Sequence, residues 1–153
     1  MEKSKAFRAT LLGGLIAGTL DITFAFIFYG LRNGSTPVRI LQSIASGALG
    51  AKAFTGGAKT AILGGVFHFF IAISAAAVYY LASRKLTFMI NHAIVCGVFY
   101  GVCVYLFMNF VVLKLSAIPF KPAYPLSVLI PGLLIHMFGI GVPIAVVVRR
   151  YSK

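Results

Sequence analysis

Acidic residues are almost absent from this sequence. Its 153 residues include only two, Glu2 and Asp21, against 14 Lys and Arg, so the formal net charge is +12. Trp is missing, and charged residues make up 10% of the chain, whereas hydrophobic residues make up 60%. A water-soluble domain of this size cannot bury so much apolar surface, but a bilayer can. The composition therefore indicates an integral membrane protein with one domain, residues 1–153.

The basic residues lie at the ends of apolar segments and in the connections between them, not in one run or on one face. This distribution is typical of side chains that reach toward lipid headgroups. It favours the lipid bilayer and anionic lipids as partners and gives no reason to expect a nucleic acid. Cys96 and Cys103 are seven residues apart in one apolar run, or about 10 Å along a helix, which is too far for a disulfide.

Four apolar segments are long enough to cross a membrane as helices. They cover residues 9–31, 59–82, 87–113 and 126–148. The N-terminal segment is too long for a typical signal peptide, so we interpret it as a retained helix. Between the first two, residues 38–49 predict a short helix that lies at the interface or re-enters the membrane, with Thr36 as N-cap and Pro37 in its first turn. The predicted fold class is all-α, an integral membrane bundle of four transmembrane helices plus this short helix.

Four spans place both termini on one side of the membrane. Slightly more basic residues fall on that side than on the other, so the positive-inside rule predicts a cytoplasmic N-terminus and C-terminus. After the third span, Pro119, Pro122 and Pro125 predict a stiff, extended connector. Within the fourth span, Pro131 and Pro143 predict a kink or a local opening.

An internal repeat relates the first two spans to the last two. Each pair contains a small-x-x-x-small motif followed by a Gly-x-x-x-His motif, namely Gly14/Gly18 and Gly64/His68 in the first pair, Gly97/Gly101 and Gly132/His136 in the second. Small residues four apart let two helix backbones approach closely in a membrane. The matching order predicts two related helical hairpins.

A layer of polar residues is predicted near the middle of the bilayer. Asp21, His68 and His136 each lie about nine or ten residues from the outer end of their span, and Tyr105 and Asn109 fall near the same depth in the third span. An ionisable side chain at the centre of a spanning helix costs roughly 2.5–3.5 kcal/mol on insertion scales, so it marks a candidate functional site. These five residues form the candidate intramembrane site.

Several functions fit these residues. A carboxylate that shares its proton with histidines suits transport or permeation of a small solute or a proton, with no cofactor. His68 and His136 could instead ligate haem, or Asp21 could join them as a two-His-one-carboxylate site for a divalent metal. A protonated Asp21 bonded to a histidine would be only a clamp in a structural or accessory subunit. No residue is predicted to be catalytic, and enzyme activity is the less favoured class.

The short helix offers a second candidate site. Arg39, Gln42, Ser43 and Ser46 share this helix, and a carboxylate or a lipid phosphate could bind at its N-terminus with Arg39 nearby. The favoured interpretation is simpler, with Arg39 meeting headgroups at the interface.

Three stretches of the sequence resemble those of a known family. They are Arg39-Ile40-Leu41-Gln42-Ser43-Ile44-Ala45-Ser46-Gly47-Ala48-Leu49-Gly50, then Gly56-Gly57 with the Leu63-Gly64 and His68-Phe69 pairs, and Met108-Asn109-Phe110. Over residues 12–149 the chain resembles a bacterial four-span inner-membrane protein family, loosely the YagU-like proteins. The resemblance implies a bacterial inner-membrane location, and it implies no activity, cofactor or catalytic residue. The small size of the bundle adds the expectation of a homodimer.

Overall fold

The computed structural model describes residues 2–120 and 125–152. These residues are almost entirely helical, and no β-strand occurs among them. Four helices are long and apolar enough to cross a membrane, and we call them spans 1 to 4: Ser4–Asn33, Gly57–Lys85, Ala93–Leu115 and Leu126–Ser152. The predicted all-α, four-span fold is confirmed.

The first half of the chain contains two long helices and one short one. Helix α1 (Glu2–Asn33) contains span 1, and α2 (Pro37–Leu49) follows after a three-residue turn. A 3₁₀ helix (Gly50–Thr55) then leads into α3 (Gly57–Lys85), which is span 2.

The second half is less regular. Span 3 follows the short helix α4 (Phe88–Asn91) and consists of α5 (Ala93–Phe107), a π-helical segment (Met108–Val112) and α6 (Leu113–Leu115). Span 4 consists of α7 (Leu126–Ile135), a second π-helical segment (His136–Gly141) and α8 (Val142–Ser152). Each of these two spans therefore contains about one turn of the wider π-helix inside its apolar region.

Two predicted boundaries were wrong. Helix α1 begins at Glu2 rather than at residue 9, because the polar N-terminal residues continue the helix beyond its apolar part. The predicted third helix is interrupted at His92, whose φ of −109° and ψ of 45° end α4 before α5 begins. Of the predicted stiff connector, residues 121–124 lie outside the described residues.

The N-terminus of α2 is as predicted. Thr36 Oγ1 accepts a hydrogen bond from the Arg39 N–H at 3.2 Å, and Pro37 occupies the first turn, where a missing N–H costs nothing. The helix ends at Gly50, whose φ of 60° favours glycine. Thr36 as N-cap and Gly50 as C-cap therefore determine where the helix begins and ends.

Helix α2 is docked against span 2. Its Leu41 carbonyl lies so close to Gly64 that a side chain at Gly64 would overlap it. On its other side, the Ala117 N–H donates to the Gly47 carbonyl at 2.8 Å, which ties α2 to the connector after span 3. The short helix is therefore built into the protein.

The spans pack as two hairpins that meet through spans 1 and 4. Span 1 contacts span 2 and span 4, and span 3 contacts span 4. The core lies in the half of the bundle that carries both chain ends, which we call the terminal end; the opposite end is the distal end. Fully buried core residues are Ala9, Ala17, Ala76, Tyr79, Ile144, Ala145 and Val148.

The two hairpins share one contact register. In the first, Gly18 faces the Phe69 side chain, next to His68, and Gly14 faces Ile73. In the second, Gly101 faces the backbone of His136, and Gly97 faces Gly141. Ile73 follows His68 by five residues, as Gly141 follows His136. These matched contacts support the repeat inferred from the glycine and histidine spacing.

Candidate functional site

Asp21 lies on the packed side of span 1. It is four residues after Ala17, which is fully buried, and three after Gly18, which contacts span 2. Residues three and four apart share a helical face, so Asp21 continues this face toward the distal end. The residue is half-buried. Among the residues that the structure describes, its carboxylate has no hydrogen bond and no ion pair.

Tyr29 and Arg32 extend the same face of span 1 to the distal end. Tyr29 interacts electrostatically with both Asp21 and Arg32. Arg32 is eleven residues beyond Asp21, or about 16 Å along the axis, which is too far for an ion pair. Its guanidinium instead donates to Ser127 Oγ at 3.1 Å and so joins span 1 to span 4. An acid at mid-depth and a base at the distal end thus share one helical face.

His68 bonds to the backbone of span 1. Its Nε2 lies 2.8 Å from the Gly18 carbonyl, and because the carbonyl can only accept, Nε2 carries the hydrogen. Gly18 is three residues before Asp21, so His68 meets span 1 within one turn of the carboxylate. The Nε2 hydrogen, however, is held by the carbonyl, so His68 serves first as a link between spans 1 and 2.

His136 belongs to a separate cluster between spans 3 and 4. Its Nδ1 lies 2.8 Å from the Gly132 carbonyl in its own helix, and its ring stands edge-on to Tyr105, with 5.2 Å between centroids. The Asn109 amide, in the π-helical segment, donates to the carbonyl of Tyr105 in α5 at 2.8 Å. Tyr105, Asn109 and His136 therefore form one group, which is part of the interface between spans 3 and 4.

The predicted polar layer is therefore two clusters at nearly one depth. Gly139 of span 4 packs beside Leu20, the residue before Asp21, because a Cβ added to Gly139 would lie 3.8 Å from Leu20 Cβ. His136 is three residues before Gly139, so it lies within about one helical turn of the depth of Asp21. His68 faces span 1, however, whereas His136 faces Tyr105 on span 3. The structure brings His68 to the backbone of span 1 one turn before Asp21, and it brings His136, Tyr105 and Asn109 to one another.

The metal interpretation is wrong for this arrangement. In residues 2–120 and 125–152, no three His, Cys, Asp or Glu side chains lie close enough together to hold a metal ion. Asp21, His68 and His136 are thus not a ligand set, because the two histidines turn toward different helix partners. The haem alternative stays a prediction, because each histidine has one ring nitrogen 2.8 Å from a backbone carbonyl of its own hairpin and its other ring nitrogen is left as the candidate ligand.

The four polar residues of α2 do not form an anion site. Gln42 and Ser46 are buried, and the Gln42 amide donates to the Gly57 carbonyl at 3.1 Å. Ser43 and Ser46 each donate to a backbone carbonyl within α2, at 2.7 Å. Docking against span 2 turns these groups inward. Arg39 alone stays exposed, with its guanidinium 3.9 Å from the centroid of the Phe54 ring.

Two features of the site escaped the sequence prediction. The contact between Arg32 and Ser127 joins residues 95 apart, and no local pattern indicates it. The π-helical segment of span 4 had a partial signal, because Pro143 lacks an N–H and cannot complete a regular helix. Such wide turns are frequent at functional sites, and this one begins at His136.

The fold defines a multi-pass membrane protein with four spans. Comparison with protein-family models, with curated proteins and with solved structures yields no match to this chain. The resemblance to the YagU-like family stays a prediction.

Proposed function

We propose that this protein moves a small solute or a proton across the membrane, and that Asp21 is the group that binds and releases it. The observation that carries the proposal is a half-buried carboxylate at mid-span with no hydrogen bond and no ion pair among the described residues. A buried charge is costly unless it is paired, and intramembrane carboxylates of membrane proteins mark ion and proton pathways. A carboxylate with a purely structural role would have a partner.

In this proposal Asp21 alternates between two forms. The protonated, neutral form is compatible with apolar surroundings, whereas the ionised form requires water or a bound cation. The face of span 1 that carries Tyr29 and Arg32 connects Asp21 to the distal end. Opening there would break the hydrogen bond from Arg32 to Ser127, which spans the two hairpins.

The terminal end supplies the closed side of the pathway. Ala17, Ala76 and Ile144 are fully buried and lie between Asp21 and the terminal surface. Passage toward that surface requires spans 1, 2 and 4 to separate there. The π-helical turn of span 4 and Pro143 are suitable points for such a movement, since discontinuous helices carry the moving parts of many transporters.

The test is proton flux into proteoliposomes that contain a trapped pH-sensitive dye, with valinomycin and potassium to set the membrane potential. The wild-type protein should conduct protons faster than protein-free vesicles, and Asp21→Asn should reduce the flux at least about ten-fold, as expected for loss of the only titrating carboxylate at this depth. Asp21→Glu, which keeps the carboxylate, should retain part of the flux, and His92→Asn at the exposed break should retain all of it. Full flux in Asp21→Asn would refute the proposal.

A structural or accessory role is the second candidate, and a specific observation favours it. Both intramembrane histidines bond to backbone carbonyls, His68 to Gly18 and His136 to Gly132, which is what a clamp between or within helices requires. Under this alternative, wild-type vesicles conduct no better than protein-free vesicles, and the Asp21 variants behave alike.

A further inference from the structure

An open groove lies at the terminal end between spans 3 and 4. Its volume is about 380 Å³, and Ile94, Val146, Arg149 and Arg150 line it. Ile94 comes from the first turn of α5, and the other three come from one face of α8, where they are spaced by three and four residues. The groove thus has an apolar part, away from the chain ends, and a basic part near the membrane surface.

The two arginines have no partner of their own. Among the residues that the structure describes, neither guanidinium makes a hydrogen bond or an ion pair, and Arg149 is half-buried. The chain has only two acidic residues, of which Asp21 lies at mid-span, and the side chain of Glu2 is not described. Two neighbouring cationic side chains without a counter-ion among the described residues attract negative charge, so an anion from outside the chain would stabilise this position.

The apolar part of the groove faces the lipid. Ile94 is 60% exposed and Val146 is 45% exposed, so in a bilayer acyl chains cover both side chains. A ligand that satisfies the whole groove must carry a negative charge at the surface and a hydrocarbon chain directly beneath it. Basic pockets between spanning helices bind anionic headgroups by this arrangement.

We infer that the groove is a binding site for one anionic phospholipid from the leaflet on the terminal side. The phosphate lies between Arg149 and Arg150, where guanidinium groups can donate to two of its oxygens. One acyl chain lies along Ile94 and Val146. The inference does not rest on the proposed transport function, because Asp21 takes no part in the groove.

Two features select this ligand over its relatives. Inorganic phosphate could bind the two arginines, but it has no hydrocarbon chain to cover Ile94 and Val146. Phosphatidylcholine would use the apolar wall, but its positive choline would meet two guanidinium groups with no carboxylate nearby among the described side chains. Phosphatidylglycerol carries the phosphate and the acyl chains without that second positive charge.

The test is native mass spectrometry of the detergent-solubilised protein with equal amounts of phosphatidylglycerol and phosphatidylcholine. The wild-type protein should retain one phosphatidylglycerol in preference to phosphatidylcholine. Arg149→Gln with Arg150→Gln should weaken phosphatidylglycerol binding about 30-fold, from about five-fold for each basic residue near an anionic lipid. The matched control, Arg8→Gln with Lys85→Gln, removes two exposed charges at the same end and should leave binding unchanged.

A second pair of variants tests the apolar part at constant charge. Ile94→Trp should fill the groove and reduce phosphatidylglycerol retention. Ile62→Trp in span 2 is the control, because Ile62 is 68% exposed and lies outside the groove, so retention should not change. Excess inorganic phosphate should fail to displace the lipid. Equal retention of the two lipids, equal losses in the two double variants, or full retention in Ile94→Trp would overturn the inference. Circular dichroism melting checks that each variant is folded.

Discussion

The two hairpins of this protein pack in the same register around different side chains. Gly18 and Gly101 occupy equivalent positions, and three residues further along, Asp21 in span 1 corresponds to Val104 in span 3. The second hairpin therefore packs in this register with an apolar residue where the first has a carboxylate. Packing alone does not require Asp21, and this comparison supports a functional role for it.

The histidines differ in the same way. In the first hairpin His68 reaches across to span 1 and bonds to the Gly18 carbonyl. In the second, His136 bonds within its own helix, and its ring packs against Tyr105. At the level of Gly18 the first hairpin is thus linked through side chains, whereas at the equivalent Gly101 the second hairpin has direct backbone contact. This difference can be tested by substitution.

The largest effect on stability is expected at Gly101, which touches backbone where the equivalent Gly18 touches side chains. A methyl group on Gly101 would overlap the His136 carbonyl, whereas one on Gly18 would meet the Phe69 ring at 2.9 Å, and a side chain can move aside. Gly101→Ala should therefore lower the free energy of unfolding by about 3 kcal/mol, and Gly18→Ala by about 1 kcal/mol. Unfolding in mixed detergent, followed by circular dichroism, measures both. Equal losses would show that the two hairpins do not differ in the way described.

A smaller effect is expected from the link between spans 1 and 2. His68→Ala removes the hydrogen bond to Gly18 and should cost about 1 kcal/mol, within the range for hydrogen bonds between membrane helices. His68→Gln keeps a donor on a side chain of similar reach and should recover part of this loss. The same unfolding assay applies. If the glutamine and alanine variants were equally unstable, ring packing rather than the hydrogen bond would hold this position.

The smallest effect on stability is expected at Asp21 itself. Asp21→Val copies the residue that the second hairpin carries at Val104, and it removes an unpaired charge from the membrane. The free energy of unfolding should stay within about 0.5 kcal/mol of the wild type or rise. Proton flux should fall as in Asp21→Asn. A loss of several kcal/mol would instead assign Asp21 a structural partner.

The number and order of the spans could be predicted from the sequence, because the length of an apolar run determines whether it crosses a bilayer. The start of α2 could also be predicted, since Thr36 and Pro37 act through local geometry. The break at His92 could not be predicted, because no proline or glycine marks it.

The candidate site was predicted only in its depth. Counting residues along each span placed Asp21 and the two histidines near one level, but depth says nothing about rotation around a helix axis. Rotation depends on contacts between distant residues, such as His136 with Tyr105. For the same reason Gln42 was predicted to face a headgroup, although docking against span 2 turns it inward.

The hydrogen bond from Ala117 to Gly47 has a consequence for biosynthesis. It joins α2 to a segment that the ribosome makes about 70 residues later, or roughly 4 to 14 s at ordinary rates of synthesis. During that time the first hairpin can insert and α2 can reach Gly64, but the C-terminal end of α2 lacks this contact. The short helix is therefore completed only when the second hairpin enters the membrane, so the two halves of the protein mature together.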